Sequence, residues 1–364
     1  MISFKLEEEQ QIARDALHEF AAEVMRPIAR ECDEEEKISE EFLAQSWELG
    51  LVSTQIPEAY GGGGEARSPI TNAIILEELA WGDIALAIAA LTPAAFANAI
   101  VDHGTDEQKQ TYLPLFCGDA YHAAAIAVNE PTVAFDPSIP RTVAEPKGDG
   151  FVISGVKSFV PMGDRASHFL VVARNNGSLD AFIVARDAEG LAISKNEENL
   201  GLRGLPTATL ELERVELPAS ARLGGEAGCD VQQLLDNSRT ALAAAMVGVS
   251  RAVLEFAVPY AKERVAFDQA IAQKQGIAFK LADMHIETES TRWLVWKAAT
   301  QLEQGLDATR SAHFARNYAA EQSMWIADQG VQILGGHGFI RDHLIELWFR
   351  SARTISVLEG TLGI

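Results

Sequence analysis

The sequence has few cysteines, few positive charges and no long uninterrupted apolar run, and each shortage disfavours a class of protein. Its three cysteines, Cys32, Cys117 and Cys229, are too few and too scattered for a disulfide framework or a metal site. Its 30 lysines and arginines stand against 52 acidic residues, which gives a formal net charge of -22. A chain this acidic is a poor partner for nucleic acid or for an anionic membrane surface.

The apolar stretches are interrupted before they reach the length of a membrane span. The alanine-rich stretch 84–99 comes closest, but Thr92, Pro93 and Asn98 interrupt it. The first six residues lack the basic and apolar regions of a secretory signal. The sequence therefore predicts a soluble protein of a reducing compartment, with a cytoplasmic location and no membrane partner.

The hydrophobic content of 48% is enough for a substantial core. Hydrophobic periodicity divides the chain into three regions. Residues 1–120 have a helical pattern, residues 121–225 are rich in β-formers, and residues 226–364 return to a helical pattern. The predicted fold class is therefore multi-domain α+β, with an N-terminal helical domain, a middle β-barrel or sandwich and a C-terminal helical bundle.

Single residues add local expectations to this division. Pro27 is expected to break the first helix, and Gly155 to divide a β-rich run into a strand pair. Thr105 is a candidate N-cap, and the acidic run 33–36 is expected on a solvated helix face.

Glycine patterns give no familiar nucleotide site. Gly61 to Gly64 form a run of glycines, but no Lys-Ser/Thr follows it and no strand precedes it, which disfavours a phosphate-binding loop. No Gly-x-Gly-x-x-Gly follows a predicted strand either, and this argues against a Rossmann nucleotide site.

A carboxylate in the last residues is the main candidate for chemistry, in the segment Leu358-Glu359-Gly360-Thr361. Gly360 allows the backbone to turn sharply beside a bound ligand. The apolar neighbours would desolvate Glu359 and strengthen it as a base. The alternative interpretation is a surface glutamate near a terminus.

Four further segments have residue patterns that, taken together with this turn, point to one protein family. They are Pro57-Glu58-Ala59-Tyr60, Gly104-Thr105-Asp106-Glu107-Gln108-Lys109, Tyr260-Ala261-Lys262-Glu263-Arg264-Val265-Ala266-Phe267 and Val331-Gln332-Ile333-Leu334-Gly335-Gly336-His337-Gly338-Phe339. Together with the Glu-Gly-Thr turn they closely resemble the acyl-CoA dehydrogenase family, and the resemblance runs through nearly the whole chain. That family also has the order all-α, all-β, all-α.

The resemblance implies FAD-dependent α,β-dehydrogenation of an acyl-CoA thioester. Glu359 would be the base that removes the α proton, and hydride would pass to N5 of the flavin. The Glu359 backbone N–H, with a ribityl hydroxyl, would bind the thioester oxygen. Removal of hydride needs a redox cofactor because no side chain accepts it. Electrons would go to an electron-transfer flavoprotein, and the chain would form a homotetramer or a heterotetramer with a homologous subunit.

The same resemblance assigns further residues to the cofactor and substrate. Thr361 would lie beside the FAD, and Gly360 and Arg239 would serve the substrate side, although Arg239 alone is an ordinary helix-start residue. The segment with Gln332, Gly335 and Gly336 would approach the FAD of a neighbouring subunit, and it is also a candidate helix C-cap. Arg264 would pair with the FAD diphosphate, and Phe267 would pack near the adenine.

Five positions lie in the family's flavin and substrate motifs, and four of them carry a residue that differs from the family pattern. Asn129 replaces a threonine that bonds the flavin pyrimidine, and Phe135 replaces a serine that contacts substrate. Phe159 stands where an aromatic residue stacks on the flavin. Pro161 replaces a threonine whose hydroxyl reaches N5, and proline offers neither a hydroxyl nor an N–H. Asp268 replaces a glycine close to the diphosphate.

The ending also differs, because relatives usually continue with a further helix where this chain stops at Ile364. Two alternatives to an active dehydrogenase stay open. One is a partner subunit of a hetero-oligomeric dehydrogenase with an incomplete flavin site, which the substitutions at Phe135, Pro161 and Asp268 favour and the retained Glu359 opposes. The other is a family oxidase, in which oxygen replaces the flavoprotein partner.

Overall fold

The computed structural model describes residues 6–364, so the expectation about a secretory signal falls largely on residues 1–5, outside the described residues. Helices occupy both ends of the described chain and strands its middle. The helices are α1 (Glu8–Phe20), α2 (Arg26–Glu35), α3 (Glu40–Glu48), α4 (Pro69–Gly82), α5 (Ile84–His103), α6 (Asp106–Tyr112), α7 (Val231–Glu263), α8 (Gln275–Glu303), α9 (Thr309–Leu334) and α10 (Ile345–Ile355). The strands are β1 (Ala124–Ala127), β2 (Val143–Lys147), β3 (Gly150–Pro161), β4 (His168–Asn175), β5 (Ser178–Ala185), β6 (Leu191–Ile193), β7 (Thr207–Leu217), β8 (Val265–Ala266) and β9 (Gln269–Ala270).

The middle region is one curled sheet of seven strands, in the order β1-β4-β2-β3-β7-β6 with β5 beside β4. Strand β4 runs parallel to β1 and β2, and the other pairs are antiparallel. The sheet forms a half-barrel between the two helical parts. The predicted fold class is therefore confirmed.

The expected strand pair around Gly155 is wrong, because β3 passes through this glycine as one strand. Its pairing with β7 changes register between Ile153 and Gly155. Gly155 has a φ of +155°, and a Cβ there would lie 2.4 Å from the Thr142 hydroxyl oxygen. The glycine serves a close approach of two chain segments and an irregular strand pairing, not a turn.

Pro27, which was expected to break the first helix, and Pro93, which was expected to interrupt the apolar run 84–99, both lie inside helices. The helical run continues through Pro27, since a wider π-helical turn, Ala21–Met25, leads from α1 directly into α2. Pro93 lies within α5 and has no N–H to donate to the Ala89 carbonyl. The Tyr121 hydroxyl donates to that carbonyl instead, at 2.7 Å, and burial raises the pKa of Tyr121. The backbone group that proline leaves unpaired is thus satisfied from outside the helix.

Helices α5 and α7 are long and apolar enough to cross a membrane by length and composition alone. In α5, 94% of the most apolar stretch is buried inside the protein, and in α7 the share is 72%. Neither helix is an uninterrupted apolar run, since α5 contains Thr92, Pro93 and Asn98, and most of each apolar stretch is buried. The apolar faces of α5 and α7 pack in the core, where α7 lies against α4, α8 and α9.

The acidic run 33–36 is not wholly solvated. Asp33 is buried, and both of its carboxylate oxygens accept hydrogen bonds from Arg350, at 2.9 and 2.7 Å. This pair joins α2 to α10. It helps to fix the helix that leads into the C-terminal turn.

Candidate active site

A cleft of about 1040 Å³ lies between the sheet and the C-terminal helices. It is lined by residues from the loop after β1, the end of β3, the β6–β7 connection, β7, α9, α10 and the C-terminal turn: Asn129, Glu130, Pro131, Thr132, Val133, Ala134, Phe135, Ser158, Phe159, Glu197, Thr209, Arg316, Asn317, Ala320, Glu321, Arg353, Ser356, Val357 and Glu359. A somewhat larger cleft, of about 1200 Å³, is lined by residues of α1, α4 and α8 and holds none of the predicted site residues.

The turn that carries Glu359 follows α10 directly and is fixed by its glycine. Gly360 has a φ of +70°, and a Cβ there would lie only 2.0 Å from a methyl carbon of Val128. Leu358 and Thr361 on either side are buried. The backbone thus leaves the helix in a conformation that only glycine allows without strain, and this places the glutamate at the cleft.

The Glu359 carboxylate lies in a charged environment, not the purely apolar one expected from Leu358. Its Oε2 is 3.4 Å from Nε of Arg239, which extends from α7. The two side chains are 21% and 12% exposed, and within residues 6–364 the Oε2 atom has no hydrogen-bond partner. A carboxylate beside a cation, with a free oxygen at a cleft, can accept a proton from a bound molecule.

Arg316 on α9 supports the same turn, and sequence reasoning missed it. Its Nη2 donates to the carbonyls of Ile355, Ser356 and Leu358, at 3.3, 2.9 and 2.8 Å. Burial lowers the pKa of Arg316, and the nearby Glu359 carboxylate partly offsets this. The sequence signal was available, since Arg316 interrupts the buried alanine stripe of Ala312, Ala315 and Ala319.

We expect Arg316→Met to destabilise the protein and to displace the turn. Three backbone carbonyls would lose a charged donor, and one hydrogen bond to a charged group contributes about 1.5–3 kcal/mol. Urea unfolding should show a loss of at least this size. Arg310→Met is the matched control, because Arg310 is exposed at the start of the same helix. Equal unfolding free energies of the two variants would contradict the assigned support.

Asn129 is paired with the C-terminal turn. Its Oδ1 accepts a hydrogen bond from the Glu359 backbone N–H at 2.7 Å, and its Nδ2 donates to the Val357 carbonyl at 3.1 Å. The Asn129 side chain was expected to bond to the flavin, and the Glu359 N–H to a thioester oxygen. In the structure these two groups are hydrogen-bonded to each other.

Phe135 and Phe159 both line the cleft and are half-buried. Phe159 has a φ of +53°, and its N–H donates to the Glu197 carboxylate at 3.2 and 3.3 Å. The hydroxyls of Thr207 and Thr209 donate to the same carboxylate, at 2.8 and 2.7 Å. Sequence reasoning did not anticipate Glu197, since its partners come from two separate strands, β3 and β7.

A second group of predicted residues lies outside the cleft. Arg264 caps the end of α7 and Phe267 lies in the tight β8–β9 hairpin, where its ring is 88% exposed. Gln332 is exposed near the end of α9, and the predicted helix C-cap is confirmed, since Gly335 follows the last helical residue with a φ of +58°. A Cβ on Gly335 or Gly336 would meet no atom within 4 Å.

The two parts of this second group are joined through Tyr260. Its hydroxyl donates to the Leu334 carbonyl at 3.3 Å and lies 3.0 Å from Nδ1 of His337. Since Tyr260 is one helical turn before Arg264, the end of α7 and the glycine segment lie side by side. They form an open surface with a cation, a ring and accessible amides.

Comparison with known proteins decides the family. The N-terminal, middle and C-terminal domains of acyl-CoA dehydrogenases match residues 7–119, 125–215 and 228–364. The chain belongs to the acyl-CoA dehydrogenase family. It is therefore a flavoprotein enzyme with FAD as its cofactor, and acyl-CoA dehydrogenation is the activity of its family.

Several relatives of this acyl-CoA dehydrogenase are similar over nearly their whole length. The short-chain-specific acyl-CoA dehydrogenase of Clostridium acetobutylicum is 34% identical, over 99% of this chain and 96% of the relative. The solved butyryl-CoA dehydrogenase of Megasphaera elsdenii has a TM-score of 0.88 at 30% identity, over 98% and 95% of the two chains. A chain from the structure of the electron transferring flavoprotein of Acidaminococcus fermentans has the same TM-score, identity and coverage.

The residues of the cleft fit a large polar cofactor such as FAD. Among residues 6–364, the buried Ser158 Oγ and Glu359 Oε2 at the cleft, and Thr361 Oγ1 two residues after Glu359, have no hydrogen-bond partner. Such atoms are costly unless a ligand or water pairs with them. Among the same residues, no group of three or more His, Cys, Asp or Glu could hold a metal ion.

Proposed function

We propose that this enzyme removes hydrogen from the α and β carbons of a short-chain acyl-CoA, with Glu359 as the α-proton base. The observation that carries the proposal is the Glu359 carboxylate, which faces the cleft with one oxygen unpaired and Arg239 at 3.4 Å. The similarity to short-chain and butyryl-CoA dehydrogenases supports the substrate class.

In this proposal one residue accepts the α proton and its neighbours hold that residue in position. Glu359 accepts the α proton at Oε2, and the Arg239 guanidinium lies 3.4 Å from this atom. Arg316 holds the backbone that carries Glu359, and Gly360 gives that backbone its turn. Phe135 closes the substrate side of the cleft. When bound, FAD supplies the hydride acceptor at its N5.

Two groups of residues would hold the FAD. Asn129, Phe159 and Thr361 are assigned to the flavin end at the cleft. The diphosphate and adenine end is assigned to the exposed surface of a second subunit, formed by Arg264, Phe267, Gln332, Gly335 and Gly336. Their separation from the cleft and their exposure support a site shared between subunits.

An oligomer, a homotetramer or a heterotetramer with a homologous subunit, follows from this shared site. Phe279 and Ile286 of α8 are 61% and 56% exposed and lie seven residues apart, on one face of the helix. Exposed apolar side chains in register suit a subunit contact.

Arg264→Ala is expected to weaken FAD retention. An arginine forks onto phosphate, and each charge-assisted hydrogen bond contributes about 1.5–3 kcal/mol, so the Kd for FAD should rise roughly 10-fold or more. Titration of the apoprotein with FAD measures this. Lys262→Ala, an exposed cation of the same helix end, is the control. A yellow protein that sediments strictly as a monomer would contradict the shared site.

The function is tested by mixing the purified holoenzyme with butyryl-CoA without oxygen and recording the flavin absorbance. Bleaching by the chain alone supports a complete dehydrogenase, and bleaching only with a homologous chain present identifies a partner subunit. Reoxidation by an electron-transfer flavoprotein is expected, whereas rapid reoxidation by oxygen alone identifies an oxidase. The absence of bleaching in every mixture overturns the proposal.

A cytoplasmic location stays a prediction, which the free thiols of Cys32, Cys117 and Cys229 support.

A further inference from the structure

The Glu359 backbone N–H is already occupied by a side chain of the middle domain. The Asn129 Oδ1 accepts from it at 2.7 Å, and the Asn129 Nδ2 donates to the Val357 carbonyl at 3.1 Å. We propose that Asn129 is a positioning residue that holds the Glu359 turn in place and withholds its N–H from the substrate. This inference rests on the proposed function and concerns how readily the same site stabilises a thioester.

An asparagine is suited to this role because its amide has both an acceptor and a donor, at the spacing of a backbone peptide. It bonds the two sides of the turn as a neighbouring strand would. A hydroxyl side chain is shorter and has a single oxygen, so it does not reach both groups. The pairing therefore depends on the residue type at position 129.

The position of Asn129 is fixed from both sides by a buried cation. Nζ of Lys157 donates to the Val128 carbonyl at 3.1 Å and to the Glu130 carboxylate at 2.9 Å. Lys157 is fully buried, and Asn129 itself is 7% exposed. The Asn129 side chain is thus presented to the turn by a loop that has little freedom to withdraw it.

The chemical consequence follows from the charge that develops during α-proton removal. Electron density moves onto the thioester oxygen, and a donor aimed at that oxygen stabilises it. Loss of one such donor typically costs about 10²–10³-fold in rate. While Asn129 holds the Glu359 N–H, a thioester must displace this hydrogen bond before it gains the donor. The site therefore operates below the rate that its base would allow.

The test compares Asn129→Thr with Asn196→Thr in the FAD-loaded enzyme. Threonine at position 129 removes the acceptor that reaches the Glu359 N–H, whereas Asn196→Thr makes the same change at an exposed position with no contact to the turn. The first measurement is amide hydrogen exchange of the C-terminal peptide, which needs no substrate. The second is flavin reduction by butyryl-CoA, with the limiting rate separated from the apparent Kd.

Asn129→Thr should exchange faster at residues 357–359 and should raise the limiting rate of reduction by about 10-fold or more. Asn196→Thr should do neither. A purely structural role of Asn129 would instead lower the rate in Asn129→Thr. Unchanged exchange in Asn129→Thr overturns the hydrogen bond, and faster exchange without a faster reduction overturns its catalytic consequence. If no variant reduces flavin although exchange responds as expected, the proposed dehydrogenation fails, and with it this consequence.

Discussion

In the Glu359→Gln variant, flavin reduction by butyryl-CoA is expected to fall by about 10²–10⁴-fold while substrate still binds. Glutamine keeps the size of the side chain and its capacity for hydrogen bonds, but its amide oxygen does not accept the α proton. The loss should appear in the limiting rate of bleaching and not in the apparent Kd. An interaction needed only in the transition state has this kinetic signature.

Glu321→Gln is the control for this experiment. Glu321 lines the same cleft but is exposed on α9, and it carries the same charge change. Its limiting rate should stay within about twofold of the parent's, as expected for a surface position. Near-parental bleaching in Glu359→Gln would eliminate Glu359 as the base, and the partner-subunit interpretation would then lead.

The fold was predictable from the sequence where the signal is local. The Thr105 N-cap is confirmed, since its hydroxyl accepts from the Gln108 N–H and the Gln108 side chain accepts from the Thr105 N–H. The prediction of a strand pair failed at Gly155, where a distant segment decides the outcome, because the Thr142 segment crosses close to this glycine. Pro93 lies in a region predicted to be helical, and the Tyr121 hydroxyl replaces its missing donor.

The site shows the same division. The family resemblance selected both Glu359 and Arg239, and folding brings Nε of Arg239 on α7 within 3.4 Å of Glu359 Oε2 in the C-terminal turn. Arg316 and Glu197 were missed because their roles come from burial and from partners remote in sequence. The pairing of Asn129 with Glu359 was missed for a related reason, since the motif predicts which residues meet a ligand and not which of them meet each other.

Beneath this site lies the buried ion pair of Lys157 and Glu130, whose side chains are 0% and 2% exposed. The Glu130 carboxylate also accepts from the N–H of Arg141 and from the N–H and hydroxyl of Thr142, at 2.7 to 2.9 Å. Burial raises the pKa of Glu130, but the Lys157 charge and these hydrogen bonds outweigh it, so that the pKa lies below its usual value. The pair anchors both flanks of Asn129.

Lys157→Met is therefore expected to be among the most destabilising single changes in the chain, at about 3–5 kcal/mol, because it leaves a buried carboxylate without its cation. The double variant Lys157→Met with Glu130→Gln should recover most of this loss, since it removes the uncompensated charge and keeps an acceptor. Urea unfolding of the parent, both single variants and the double variant gives the coupling between the two positions.

The pH dependence of the same variants has a definite sign. In the parent the Glu130 pKa is depressed, so the stability it contributes is complete above the usual glutamate pKa and is lost as the pH falls through the folded-state value. In Lys157→Met only the hydrogen bonds from Arg141 and Thr142 still oppose the burial effect, so the folded-state pKa of Glu130 lies above its folded-state value in the parent. The parent therefore loses more stability than the variant as Glu130 is protonated, and the stability deficit of the variant should shrink as the pH falls from about 6 to 4. A deficit that stays constant over this range, or a double variant as unstable as Lys157→Met, would contradict an uncompensated Glu130 charge as the cause.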